Sequence, residues 1–318
     1  MKYSGIGGQA VIEGIMMMKG EDYAVAVHRP DKEIEVKKDT YQSITKKAKI
    51  LQLPFVRGVF RFADSMIIGM RSLTYSASFF EDDEDAEPGK FEQFLDRVFG
   101  EKLESAIMAA VLVISFILAI GIFMLLPLGI ANLFKGVITS DHLMAVLEGV
   151  IRIAIFIIYI KLVSRMEDIR RTFMYHGAEH KCINCVEHGH PLTVKYVRES
   201  SKEHKRCGTS FILIVMVISI LMFMVIRVDT IWMRILSRII LVPVIAGISY
   251  EVLQCAGRSN SKFMDLVSRP GMWMQGLTTK EPDDSMIEVA IAATEAVFDW
   301  REYLTENFPG WEKQLEES

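Results

Sequence analysis

Five of the seven histidines and three of the four cysteines fall between positions 174 and 211. His176, Glu179 and His180 make an H-x-x-E-H motif; Cys182, Cys185, His188 and His190 follow, and His204 and Cys207 close the run. Imidazole and thiolate are favoured ligands of zinc and related divalent ions, so metal chemistry is the first expectation. On a helix, residues four apart share a face, and both His176 and His180 then reach one cation. Glu179 stands beside them as the general base, in the order of the inverzincin pattern. Two histidines and a third ligand leave one position open for water, whose proton a carboxylate accepts. His204, Cys207, Cys182, Glu187 and Glu251 are candidates for the third ligand.

A motif this short arises by chance in about 2% of shuffled chains, so alternatives stay open. His176, His180, Cys182 and Cys185 have the spacing of a closed structural zinc site. With no metal at all, the histidines are ordinary hydrogen-bonding groups. A redox role for Cys182 and Cys185 lacks thioredoxin-like surroundings. His188 and His190 flank Gly189 and Pro191 and read as turn residues.

The elements that carry this cluster are apolar. Of 318 residues, 51% are hydrophobic and 24% charged, a balance that calls for a membrane portion joined to polar layers. The net charge of −4 gives no footing for nucleic acid. Positions 1–19 lack the basic start and apolar core of a secretory signal. Four segments approach the ~20 apolar residues that a bilayer requires: 105–134, 143–163, 210–226 and 231–253. Arg234 and Arg238, near the start of the last, reach toward headgroups. Glu148 and Arg152 lie four apart in the second and pair, which lowers their cost in lipid; an ion path is the functional alternative. Lys135 and Arg227 are the basic residues of the outer connections, whereas nine lysines and arginines lie between the second and third spans, from Arg165 to Arg206. Positive charge marks the cytoplasmic side, so both termini and the His/Cys segment face the cytoplasm of a multi-pass protein in the cell membrane. From His176 back to the second span is about 20 Å of straight helix. A bend at Gly177 or Gly189 is therefore needed to bring His176 to the depth of Cys207 and Glu251.

Seven stretches organise the chain. Residues 1–52 form a glycine-rich β element, with strands around 23–27 and 33–36 joined at Arg29-Pro30-Asp31-Lys32. The glycines at 5, 7, 8 and 14 imply tight turns or close packing, since no phosphate-loop pattern is met. Residues 53–80 read as an amphipathic helix with Arg57, Arg61, Asp64 and Arg71 on one face, lying on the membrane surface or packed under the polar domain. An acidic linker and short helix occupy 81–104, spans one and two 105–164, the His/Cys loop 165–208, and spans three and four 209–256. In the cytoplasmic region 257–318, Ser268-Arg269-Pro270-Gly271 breaks a helix. An amphipathic helix then covers 285–304 with Asp283, Asp284 and Ser285 at its start, and the tail from 311 is loose.

Several blocks together resemble the YqhQ-like family of uncharacterised bacterial multipass membrane proteins. They are Gly7-Gly8-Gln9-Ala10-Val11-Ile12-Glu13-Gly14 with Met16-Met17, His176-Gly177-Ala178-Glu179-His180-Lys181, Arg206-Cys207-Gly208-Thr209-Ser210, Ala246-Gly247-Ile248-Ser249-Tyr250-Glu251 and Leu277-Thr278-Thr279-Lys280-Glu281-Pro282. The resemblance implies a membrane fold and a metal-dependent enzyme of unknown reaction. It points to His176, Glu179, His180, His204, Cys207 and Glu251, and leaves Cys182 and Cys185 outside the pattern. The expectation is thus a mainly α, four-span protein with a small N-terminal β element. Its function would be a zinc-type hydrolase at the cytoplasmic face, with Glu179 catalytic and His176, His180, His204, Cys207 and Glu251 as the ligand set. The alternative is a non-catalytic assembly factor or regulator that binds another membrane protein.

Overall fold

Strict alternation of side chains in the N-terminal segment divides its sheet into two buried faces. A computed structural model describes residues 2–80, 103–226, 230–259 and 261–315. Strands β1 (Ile6–Val11), β2 (Gly14–Lys19), β3 (Asp22–His28) and β4 (Ile34–Thr40) form an antiparallel meander in chain order. Ile15, Met17 and Ala26 point to one face; Met16, Val25 and Val27 point to the other, as a period of two requires. The glycine-rich block is therefore two strands as well as their turn, with Gly8 opposite Met17 in register. β4 is charged and exposed along its length, which protects the sheet edge.

The first face is covered by α5 (Glu167–Glu187) and α10 (Asp284–Val297), whose Tyr175, Ala178, Ile183, Met286, Ile287 and Ala290 complete the main core. The second face meets α1 (Val56–Ala77) through Ile68. The buried Asp64 of α1 accepts bonds from Tyr41 Oη (2.9 Å), Ser43 Oγ (2.5 Å) and Ile44 N (3.0 Å). In chain order the remaining helices are α2 (Leu103–Ile120), α3 (Leu126–Asn132), α4 (Asp141–Val163), α6 (Val194–Glu199), α7 (Gly208–Val225), α8 (Ile231–Arg258), α9 (Lys262–Thr278) and α11 (Trp300–Asn307).

Among the described residues, four helical stretches are long and apolar enough to cross a membrane: Ala110–Asn132, Asp141–Val163, Gly208–Val225 and Ile239–Gly257. The chain is a multi-pass membrane protein, and a bilayer is its environment. Contacts divide it into two units, 1–80 with 160–222 and 227–318, and 81–159 with 223–226. In the second unit Arg152 pairs with Glu148 at 2.6 Å, as the spacing predicts. Its Nε also donates to the Phe123 carbonyl (3.1 Å), within the π-helical turn Gly121–Leu125. The wide π turn leaves such a carbonyl available. Most of the acidic linker and short helix expected at 81–104 lies outside the described residues.

Of the two sites expected for a bend, Gly177 lies within the continuous α5, whereas the chain does turn at Gly189, where φ is +88°, and turns also at positions 164–166. Three other local expectations need correction. Pro270 does not end its helix. It forfeits one backbone bond, but Gly271 fits so closely against Ser210 that a Cβ there would lie 2.6 Å from Ser210 Oγ, and this packing holds the turn helical. The single helix expected over 285–304 is two, because Asp299 caps a new start by accepting from Arg301 N and Glu302 N. The tail is not loose at Trp311, which is buried against Trp300 with ring centroids 5.4 Å apart. Overpacking the α7–α9 contact with Gly271→Val is expected to cost about 1–3 kcal/mol in detergent thermal unfolding. Gly276→Val, where a Cβ meets nothing within 4 Å, serves as the neutral control.

Candidate metal centre

One turn of α5 brings His176 and His180 together, their ring centroids 4.4 Å apart. Each ring is oriented by a backbone carbonyl. His176 Nδ1 lies 3.0 Å from Thr278 O at the end of α9, and His180 Nδ1 lies 2.7 Å from Lys202 O in the loop before α7. A carbonyl only accepts, so each Nδ1 carries the proton and each Nε2 keeps a free lone pair. This is the orientation that metal-ligating histidines receive from their surroundings. Cys207, directly before α7, puts Sγ 3.2 Å from His176 Nε2. Among the described residues, His176, His180 and Cys207 form the one group whose ligand atoms all lie within 4.8 Å of each other.

Glu179 is buried beside them and faces β1. Its Cγ would be 2.9 Å from a Cβ at Gly8, so glycine is needed for this approach. Burial raises its carboxyl to about 7, opposed by the nearby His176 and by a hydrogen bond from the Gly8 N–H.

The loop that carries Lys202 and Cys207 is clamped by α5. Lys181 Nζ donates to the carbonyls of Arg198 (2.8 Å) and Ser200 (2.9 Å), and Asn184 Nδ2 to those of Ser201 (2.6 Å) and Glu203 (2.9 Å). Gln275 of α9 holds the other side: its Oε1 accepts from His204 N, and its Nε2 donates to His204 O and Ser210 Oγ. Glu187, fully buried, receives Arg206 Nη2 (2.5 Å), Ser4 Oγ (2.7 Å) and Ser4 N (2.9 Å). Burial pushes the Glu187 carboxyl up, but the adjacent His204 ring, the Arg206 charge and the Ser4 N–H outweigh it and hold it at about 2.

The remaining expected residues lie in other settings. His204 packs near His180, with centroids 5.7 Å apart, but its Nε2 faces Glu187 Oε2 at 3.5 Å. Burial lowers it to about 4, so it is a neutral ring at pH 7. Glu251 accepts from Arg57 Nε (2.8 Å), Arg57 Nη2 (2.6 Å) and Phe55 N (3.2 Å), and it is not in the three-residue group. Cys182 and Cys185 do not join His176 and His180: both lie in the main core, and burial pushes the Cys185 thiol up to about 12. At 100° per residue, Cys182 points some 200° away from His180, so the closed Cys/His site cannot form on a straight helix. His188 and His190 are turn residues: Gly189 has φ +88°, and His190 N and Gly189 N bond back to the carbonyls of Cys185 and Val186.

The family profile described as "Protein of unknown function (DUF1385)" matches residues 53–300. The chain belongs to the DUF1385 family. It is 34% identical over 286 residues to the uncharacterized protein YqhQ of Bacillus subtilis (strain 168), covering 90% of this chain and 89% of that one. No solved structure matches. In this DUF1385 chain the supporting side chains were legible only in part. His176, His180, Asn184 and Glu187 make one polar stripe along α5, a pattern open to sequence reading. Thr278 and Lys202 act through their carbonyls, which no residue type announces.

Removing the Glu187 carboxylate leaves Arg206 buried without its partner. Glu187→Ala is therefore expected to cost about 3–5 kcal/mol in thermal unfolding, and replacing both residues by methionine to recover most of the loss.

Proposed function

We propose that this protein is a membrane metalloprotein in which His176, His180 and Cys207 hold a divalent ion, zinc by donor chemistry, for hydrolysis at the cytoplasmic face. One observation carries the reading: two imidazoles fixed by backbone carbonyls turn their free nitrogens toward a thiol, within 4.8 Å. Two nitrogens and a sulfur suit zinc, and three protein ligands leave a fourth position for substrate or water. An ion bound there supplies Lewis acidity at neutral pH.

The chain's own residues divide the remaining work. Thr278 and Lys202 keep the ligand rings in one tautomer through their carbonyls. Glu179, with a carboxyl raised toward neutrality by burial, takes and returns the proton. His204, held by Gln275 and turned to Glu187, buttresses His180 rather than adding a ligand. The cytoplasmic orientation follows from the nine basic residues between the second and third spans.

Elemental analysis of the protein purified in mild detergent is expected to find about one zinc per chain. His176→Ala, His180→Ala and Cys207→Ala should each remove it, whereas Glu251→Gln keeps it. Unchanged metal content in the three ligand variants would sink the proposal. Glu179→Gln should retain metal and fail to rescue a deletion strain; full rescue would assign the ion a structural role in a non-catalytic partner of another membrane protein. The 3.2 Å contact between Cys207 and His176 also fits a metal-free cysteine nucleophile with its base. In that case alkylation of Cys207 would proceed at the same rate with and without a chelator.

A further inference from the structure

α1 is inside-out for a helix in water. Its buried positions are Gly58, Asp64, Ile68, Gly69, Ser72 and Ser76, small or polar apart from one isoleucine. Its exposed positions include Phe62 (46%), Met66 (54%), Met70 (61%) and Leu73 (40%), spaced four, four and three apart as a single stripe. Val111, Leu112 and Leu118 of the first membrane-crossing helix are exposed to a similar degree, 55–62%. A contiguous apolar stripe of this kind marks a contact surface rather than a solvated one.

The neighbours of α1 say what covers it. The ring of Phe62 lies 5.7 Å from that of Phe211 in the first turn of α7. Gly58 fits against Tyr250 and Gly247 of α8 so closely that a Cβ would lie 2.7 Å from Tyr250 Cβ, and Arg57 pairs with Glu251 at 2.6 Å. Both partner helices contain membrane-crossing stretches: Phe211 lies near the start of Gly208–Val225, and Gly247, Tyr250 and Glu251 lie between the middle and the end of Ile239–Gly257. The exposed charges are basic: Arg61 and Arg71 on the helix, Lys47 and Lys49 just before it. The helix's only acid, Asp64, is buried. Ile50, Leu53 and Phe55, exposed on the approach, extend the apolar surface.

We infer that α1 is an in-plane membrane helix, with its Phe62–Met66–Met70–Leu73 stripe in the acyl region of one leaflet and its basic residues at anionic headgroups. The occupant of this face is lipid, continuous with the lipid around α7 and α8. Amphipathic helices of this kind combine apolar burial with attraction to anionic lipid. The inference is independent of whether a metal binds.

Nitroxide labels on the full chain in phosphatidylglycerol/phosphatidylethanolamine vesicles test it. Phe62→Cys, Met66→Cys, Met70→Cys and Leu73→Cys are each placed in a Cys255→Ser background, the other cysteines being buried. Each substitutes an exposed position, and Lys38→Cys on β4 is the aqueous control. The four labels should be open to oxygen, shielded from a nickel chelate, and about 5–10 Å below the phosphates. Nickel access equal to that of Lys38→Cys would overturn the inference. So would immobile labels shielded from both reagents, which would mean that a second copy or another protein covers the face.

Discussion

The candidate site depends on how α5 satisfies the backbone of one irregular loop. Buried carbonyls outside regular structure need partners, and the loop before α7 has no strand or helix to provide them. Side chains of α5 do so instead. Lys181, Asn184 and His180 donate to carbonyls at Arg198, Ser200, Ser201, Lys202 and Glu203, and Glu187 then anchors Arg206. The loop therefore has one path from α6 to α7, and that path ends with Cys207 against His176. Because His180 serves both as a clamp and as a candidate ligand, fixing the loop and fixing the ring's tautomer are the same hydrogen bond.

The clamp is costly in charge, and the structure distributes that cost. Lys181 is buried except for its approach to Glu281, which also meets Lys202 and has its carboxyl lowered; burial raises it, and hydrogen bonds from the two lysines prevail. Glu187 and Arg206 are buried as a pair, with Tyr3 stacked 4.1 Å from the guanidinium. Breaking such a pair costs more than the pair contributes, so these residues define geometry rather than add stability. Ser4 ties the segment before β1 to the same carboxylate, and four residues later Gly8 meets Glu179. One strand is thus registered against α5 at both ends of the candidate site.

Much of the architecture was legible because apolar length and alternation are local properties. The four spans follow from hydropathy, and β3 and β4 from alternation. β1 was hidden by Gly7 and Gly8, which remove alternating side chains, and β2 by the unbroken apolar run Ile15–Met18, which serves two buried faces; Gly14 is needed because a Cβ would strike the Ala26 carbonyl. Pro270 misled because its local cost is outweighed by the contact of Gly271 with Ser210, 61 residues away in other sequence surroundings. At the candidate site, His176 and His180 were legible from helical spacing. Cys182 and Cys185 looked equally suitable in sequence, but proximity along a chain is not proximity around a helix.

The same distinction separates Cys207 from Glu251. Both were expected at the cytoplasmic ends of neighbouring spans, at similar depth. Depth alone does not choose between them; partners do. Glu251 already accepts three bonds from the start of α1, including two from the Nε and Nη2 of one guanidinium, a geometry that matches a carboxylate on its own. Cys207 contacts Thr209 and the ring of His176, and thiols are poor hydrogen-bonding partners for either. A side chain that is buried, weakly bonded and turned toward two lone pairs has more to gain from a cation than one whose charge is already matched. The carboxylate instead fastens α1 to α8, and the thiol is left to the imidazoles.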